Sequence, residues 1–123
     1  MNVLVAEDNA INVLVLTKFL KKWDVNYQVA RDGNEAYHLW SQHTFDVILM
    51  DLHMPNKDGK ETTQLIRAST NEFINKIPII ALTADTSVKT RDDLLSNGFN
   101  HYLTKPFDPN TLFGLLKEYS LIA

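Results

Sequence analysis

Four apolar runs in this chain end in polar or charged residues. Glu7 and Asp8 follow VLVA, Asp51 follows DVILM, Thr83 closes IPIIALT, and Lys105 and Pro106 follow HYLT. Open α/β sheets bind ligands outside the carboxyl ends of their strands. One crevice is therefore expected to gather three carboxylates, a hydroxyl and an ammonium. Carboxylates so close together repel unless a cation sits among them. The oxygen-only ligands and the absence of cysteine point to a hard divalent ion, Mg²⁺, with Mn²⁺ as the other ion such a ligand set accepts.

The rest of the chain supplies the fold that this placement requires. Strand-like segments at Asn2–Ala6, Val25–Ala30, Asp46–Met50, Ile77–Thr83 and His101–Thr104 alternate with helix-like ones. The helices are expected at Ala10–Trp23, Asn34–Ser41, Lys60–Ser69, Ser87–Asn97 and Pro109–Tyr119, with Asp8 or Asn9 capping the first. Gly98 should stop the fourth, and Pro109 suits the first turn of the last. Val25, Tyr27 and Val29 alternate with polar residues, as in an edge strand. His53–Gly59 carries turn residues, including Pro55, Asn56 and Asp58–Gly59. Apolar strands crossed by helices imply a parallel sheet covered on both faces. The α/β, doubly wound, flavodoxin-like order 2-1-3-4-5 fits, and its switch point would bring Glu7 and Asp8 to Asp51.

At 123 residues the chain suits one domain, 1–123, without repeats or linkers. Its net charge of −3 argues against direct nucleic-acid binding. No apolar run approaches the roughly 18 residues of a membrane span. Met1 leads straight into a strand with no cationic segment, so a secretory signal is not expected. Lack of cysteine fits a reducing, cytoplasmic setting.

The crevice residues suggest a division of labour. Asp51 is the candidate nucleophile, attacking phosphorus to form an acyl phosphate. Asp8 and Asp51 would hold the ion, with Glu7 nearby through water. The ion and Lys105 would neutralise phosphoryl oxygens, and the Thr83 hydroxyl can donate to the same group. Each residue has a plainer role when taken alone: a helix cap, a turn, ordinary strand composition, a surface lysine. Their joint placement on four strand ends carries the reading.

Taken together, LVAEDN, VILMDLHMPNKDG, IIALTA and YLTKPF, in this order, resemble the receiver domains of two-component response regulators, the chemotaxis-regulator-like family. The likeness runs over essentially the whole chain. It implies phosphoryl transfer from a phosphohistidine on a kinase or phosphotransfer domain to Asp51, and a backbone carbonyl from His53 to complete the metal ligands. It implies a cis Lys105–Pro106 bond that aims the lysine inward. It also implies a switch in which Thr83 moves toward the phosphoryl group and Tyr102 turns inward. The readout surface would be the Ser87–Asn97 helix, the last strand and the last helix. The wording EDNAINVLV, DLHMPNKDG and ALTAD is similar to receivers of hybrid sensor histidine kinases. That origin is favoured over a stand-alone regulator; a monomer or weak dimer is expected.

The first helix carries a second signal. Leu16, Phe19, Leu20 and Trp23, with Asn12, can line a face toward the sheet. Ile11, Leu14 and Val15 form another face that a surface helix should make polar. That face suits a helical partner, and in the resembled family the region docks the phosphohistidine domain. Of the four histidines, none has zinc-like spacing. His53 is placed to overhang the site, and Asp85 to face its mouth.

Other classes fit less well. A haloacid-dehalogenase-like phosphatase would need a second Asp where His53 stands, and its acidic pair comes late in the chain. A flavodoxin-like flavin carrier needs a donor-rich phosphate loop, whereas AEDNA presents carboxylates. A receiver that has lost phosphorylation is disfavoured by the intact Glu7, Asp8, Asp51, Thr83 and Lys105.

Overall fold

Three of the five strands are apolar enough to need cover on both faces, and the topology provides it. The computed structural model describes residues 1–72, 75–85 and 87–119. The strands are β1 (Asn2–Ala6), β2 (Asn26–Ala30), β3 (Val47–Asp51), β4 (Ile79–Thr83) and β5 (His101–Thr104). The helices are α1 (Ala10–Lys22), α2 (Gly33–Gln42), α3 (Gly59–Arg67), α4 (Val88–Ser96) and α5 (Pro109–Tyr119). All four strand pairings are parallel, in the order β2-β1-β3-β4-β5. Every residue of β3 and β4 is buried, whereas β2 alternates as an edge strand should. The expected topology is the observed one. The expected single domain over 1–123 extends, at 120–123, outside the described residues.

The sheet divides the core in two. Leu4, Ile48, Met50, Ile79 and Ala81 face one side, where they meet Ala36, Trp40, Ile66 and Leu94 of α2, α3 and α4. Val3, Val5, Leu49, Ile80 and Leu82 face the other, against Leu16 and Leu20 of α1 and Leu112 and Leu116 of α5. Alternate residues of one strand thus belong to different cores.

Several boundaries differ from expectation, each for a local reason. Of the two caps expected for α1, Asn9 is the one used: its side chain accepts from the Ile11 and Asn12 amides at 2.9 and 3.1 Å, which leaves the Asp8 carboxylate free for the crevice. Asp46 lies just before β3, where its carboxylate accepts the Asn2 amide at 2.7 Å and its own amide donates to the Asn2 carbonyl at 2.8 Å. Strand β3 instead ends on Asp51 itself. Asp32 caps α2 and Asp58 caps α3, the latter in a reciprocal capping box with Glu61. Both helices therefore start one residue earlier than their composition suggests. Gly98 follows the C-cap of α4 at φ 98°, the left-handed conformation expected of it.

On α1 the sheet-facing stripe is Val13, Leu16, Thr17 and Leu20. Thr17 satisfies its hydroxyl on the Val13 carbonyl at 2.8 Å. Phe19 and Trp23 turn sideways instead. Trp23 stacks between Phe19 and Phe113 of α5, with centroids 5.7 and 5.0 Å apart, a pairing that joins two helices on one face.

Arg67 ties the end of α3 to the loops around β4 and β5. It donates to the carbonyls of Gly98 (3.0 and 2.8 Å), Asn75 (2.7 Å) and Ile77 (2.7 Å), and to Asn100 Oδ1 (2.9 Å). Asn100 Oδ1 also accepts the first amide of β4, that of Ile79. Replacing Arg67 with Met keeps the aliphatic stem but orphans these acceptors. Chemical denaturation of Arg67→Met should show a loss of about 2–4 kcal/mol; a loss under ~0.5 kcal/mol would show that water replaces the guanidinium.

Candidate phosphoryl-transfer site

Sheet register builds the crevice. Ala6 pairs with Met50, so the next residues, Glu7 and Asp51, come side by side. Asp51 pairs with Leu82, and Thr83 with Thr104, so Thr83 and Lys105 project at the same end. The Lys105 amide donates to the Thr83 carbonyl at 2.8 Å, and the Lys105–Pro106 bond is cis, as expected. Glycine is required behind Asp51: a Cβ on Gly59 would lie 2.3 Å from the Asp51 carbonyl oxygen. The first turn of α3 can approach the strand end only with hydrogen at that position.

The acidic residues converge. One carboxylate oxygen from each of Glu7, Asp8 and Asp51 lies within 4.8 Å of the others. Glu7 is fully buried and Asp51 is 3% exposed, whereas Asp8 is open to solvent. Lys105 Nζ reaches over both buried groups, 3.1 Å from Asp51 Oδ1 and 3.4 Å from Glu7 Oε2. The amide of His53 points to Asp51 Oδ1 at 3.4 Å; its ring is exposed and lines the adjoining cavity with Thr83 and Asp85.

Asn12 is a site residue that composition does not reveal. Its spacing predicts the sheet-facing side of α1. Instead its Nδ2 donates to Glu7 Oε1 at 3.3 Å, beside the Asn9 amide at 3.2 Å. The available signal is an amide side chain on the first turn of the helix that follows the acidic pair. Glu7 Oε2 has no hydrogen-bond partner, the lysine contact being charged but poorly directed.

This environment is electrostatically one-sided. Burial, and then the Asp51 charge, push the Glu7 carboxyl above its ordinary range, against the opposing pull of Asn12 and Lys105. A buried carboxylate oxygen without a donor, facing two other carboxylates, fits a hard divalent cation held by oxygen ligands. Glu7, Asp8 and Asp51 are suited to hold it.

The remaining expected residues are also located. Thr83 is buried, and its Oγ accepts from the Asp85 amide at 3.0 Å. Tyr102 is half-buried against the α2–α4 core. Ile11 and Leu14 are 72% and 68% exposed and Val15 is 36% exposed, so the second face of α1 lies outside the core.

With this geometry in place, comparison with known proteins is direct. The response regulator receiver domain family matches residues 3–117, and the chain belongs to that family. It is similar to the autoinducer 2 sensor kinase/phosphatase LuxQ of Vibrio harveyi, with 39% identity over 91% of this chain and 13% of LuxQ. Its structure is similar to that of the receiver domain of sensor histidine kinase PA1611 from Pseudomonas aeruginosa, crystallised with magnesium in its active-site cleft. The TM-score is 0.86 and the identity 35%, over 96% of this chain and 95% of that one. It is also similar to the receiver domain of the Saccharomyces cerevisiae response regulator Ssk1, crystallised with the histidine phosphotransfer protein Ypd1. There the TM-score is 0.87 and the identity 34%, over 97% and 88% of the chains. The chain spans a quarter or less of the length of curated relatives such as LuxQ. No helix among the described residues is long and apolar enough to cross a membrane.

The raised Glu7 carboxyl has a sign. Above the ordinary carboxylate range the unfolded chain ionises this group more readily than the native state does. The charge therefore destabilises the metal-free fold at neutral pH. Glu7→Gln should raise the melting temperature without Mg²⁺ by a few degrees and shrink the further rise that Mg²⁺ gives the wild type. A lower melting temperature together with an unchanged Mg²⁺ increment would count against this account.

Proposed function

We propose that the chain is the phosphoryl-accepting receiver of a two-component phosphorelay, and that Asp51 takes its phosphoryl group from a phosphohistidine. The observation that carries this reading is the Lys105 ammonium, 3.1 Å from Asp51 Oδ1, at the rim of a three-carboxylate cluster. Asp51 is the one carboxylate at the end of the central strand. A carboxylate oxygen of Asp51 attacks phosphorus, the phosphorus–nitrogen bond to the donor imidazole breaks, and an acyl phosphate forms. Lys105 balances charge on the transferred oxygens and holds the nucleophile in place. Thr83 leaves the Asp85 amide to donate its hydroxyl to the phosphoryl group. Glu7, Asp8, Asp51 and the His53 carbonyl would hold Mg²⁺, which when bound supplies positive charge against the phosphoryl oxygens.

The switch continues to α4, β5 and α5. Tyr102, half-buried beside the α4-side core, follows Thr83 by turning inward, a two-state shift biased by one covalent group. The donor docks on α1. Ile11 and Leu14 expose most of their apolar surface beside the crevice, which suits a helical phosphotransfer partner. The crystallised assembly of Ssk1 with Ypd1 and the kinase receivers among the relatives support such a donor. The kinase receivers also support an origin within a hybrid sensor histidine kinase, and the proposed setting is its cytoplasmic side.

The acceptor is tested with a small acyl-phosphate donor and Mg²⁺. The wild type should carry label on Asp51, and Asp51→Asn should lose at least ~100-fold in labelling rate. Label mapped to another residue of the wild type would refute the assignment. The donor surface is tested separately. Leu14→Asp buries an unpaired charge in the docked complex. Transfer from a phosphohistidine protein should slow by roughly tenfold or more, with labelling by the small donor kept. Equal loss of both would show that Leu14 supports the fold rather than the contact.

A further inference from the structure

Helix α4 is attached to the domain by two unlike sets of contacts. Those at its N-terminal end lead back to Thr83. The Thr83 hydroxyl oxygen accepts the Asp85 amide at 3.0 Å. One Asp85 carboxylate oxygen accepts the Ser87 amide at 2.9 Å, and the other accepts the Thr90 hydroxyl at 2.7 Å. Ser87 Oγ, the cap of α4, accepts the Thr90 amide at 3.2 Å. Residues 83, 85, 87 and 90 thus form one continuous chain from the crevice wall to the first turn of the helix.

The contacts farther along α4 lead to α3 instead. Lys60 pairs with Asp93. Gln64 Nε2 donates to Asn97 Oδ1 at 2.9 Å. Arg67 donates twice to the Gly98 carbonyl, at 3.0 and 2.8 Å, while also fixed to the carbonyls of Asn75 and Ile77. Positions 60, 64 and 67 are one stripe of α3. At the end of this seam a Cβ on Gly98 would meet Arg67 Cγ at 3.0 Å, so the chain there sits tightly on the arginine. No contact in the seam uses Glu7, Asp8, Asp51, Thr83 or Lys105.

The two attachments differ in strength. The Asp85 and Ser87 hydrogen bonds to the first turn are solvent-exposed. Both sets include bonds to a charged group, but the Arg67 bonds to Gly98 are partly buried, where water competes with them less. When Thr83 moves, the first turn loses its tether and the far end keeps its own. We propose that α4 is a lever that pivots at Asn97–Gly98, with Asp85 as the latch that couples its first turn to the Thr83 hydroxyl. This rests on the proposed function, in which Thr83 turns to a phosphoryl group on Asp51. The exposed Val88 would then travel farther than the exposed Leu95, and a partner reading α4 would sense chiefly its N-terminal half.

Amide hydrogen exchange on the full chain tests the lever in two arms. Thr90→Val, without any phosphoryl donor, removes the hydroxyl that donates to Asp85 and accepts from Ser87 Oγ. Exchange at Arg91, in the first turn, should quicken about fivefold, with Asn97 and Gly98 changed less than about twofold. Asp85→Ala should give the same pattern more strongly. In the second arm, the wild type held in excess small acyl-phosphate donor and Mg²⁺ should reproduce the asymmetry. Equal quickening at both ends, or none at Arg91 in either variant, would overturn the lever. A wild type that stays unlabelled on Asp51 would overturn the proposed function instead, and the donor-free arm would still decide the latch.

Discussion

Like-charge crowding at the ends of β1 and β3 is the constraint on which the site depends. Glu7 and Asp51 are nearly or fully removed from water, and Asp8 brings a third carboxylate within 4.8 Å. Such a cluster is costly without compensation. Each neighbouring feature supplies a part of it. Asn12 and the Asn9 amide occupy one oxygen of Glu7, and Lys105 supplies the only cationic side chain among the described residues within ion-pairing distance of Glu7 or Asp51. What remains uncompensated is directed at one point, where a divalent ion and then a phosphoryl group can use it.

The scaffold that permits this is ordinary in its physics. Parallel strands without polar gaps must be covered on both faces, and the register that follows fixes Glu7 against Asp51 and Thr83 beside the Lys105 strand end. The loops then add small tolerances. Gly59 allows α3 to begin against the Asp51 carbonyl, and Gly33 allows α2 to begin against the Lys57 carbonyl, 2.2 Å from where a Cβ would sit. These are places where substitution would move the surroundings of Asp51 without changing its carboxylate.

Much of this is legible in the amino-acid sequence. The strand order, the crevice carboxylates, Thr83, Lys105, the cis bond and the exposed face of α1 all follow from apolar periodicity, from strand-end chemistry or from the family resemblance. Pair-specific geometry is not legible there. Phe19 and Trp23 have the spacing of core residues, yet their rings stack on each other, and Trp23 also stacks on Phe113 of a neighbouring helix. Asn12 and Asp85 have the composition of caps and loops, and only the fold shows which carboxylate or hydroxyl each one meets. The boundaries shift where a side-chain carboxylate takes a backbone amide at an element's end, as Asp46 does with Asn2 and Asp58 with Glu61.

The division of the core by the sheet has an evolutionary side. The helix that offers Ile11 and Leu14 rests on Leu16 and Leu20 in one apolar cluster, and α4 rests on Leu94 in the other. Residues that share no partners change nearly independently. A lineage can therefore repack the layer of α1 and α5 with little effect on the layer of α2, α3 and α4. A buried sheet of this kind works as a partition between two layers that can vary separately.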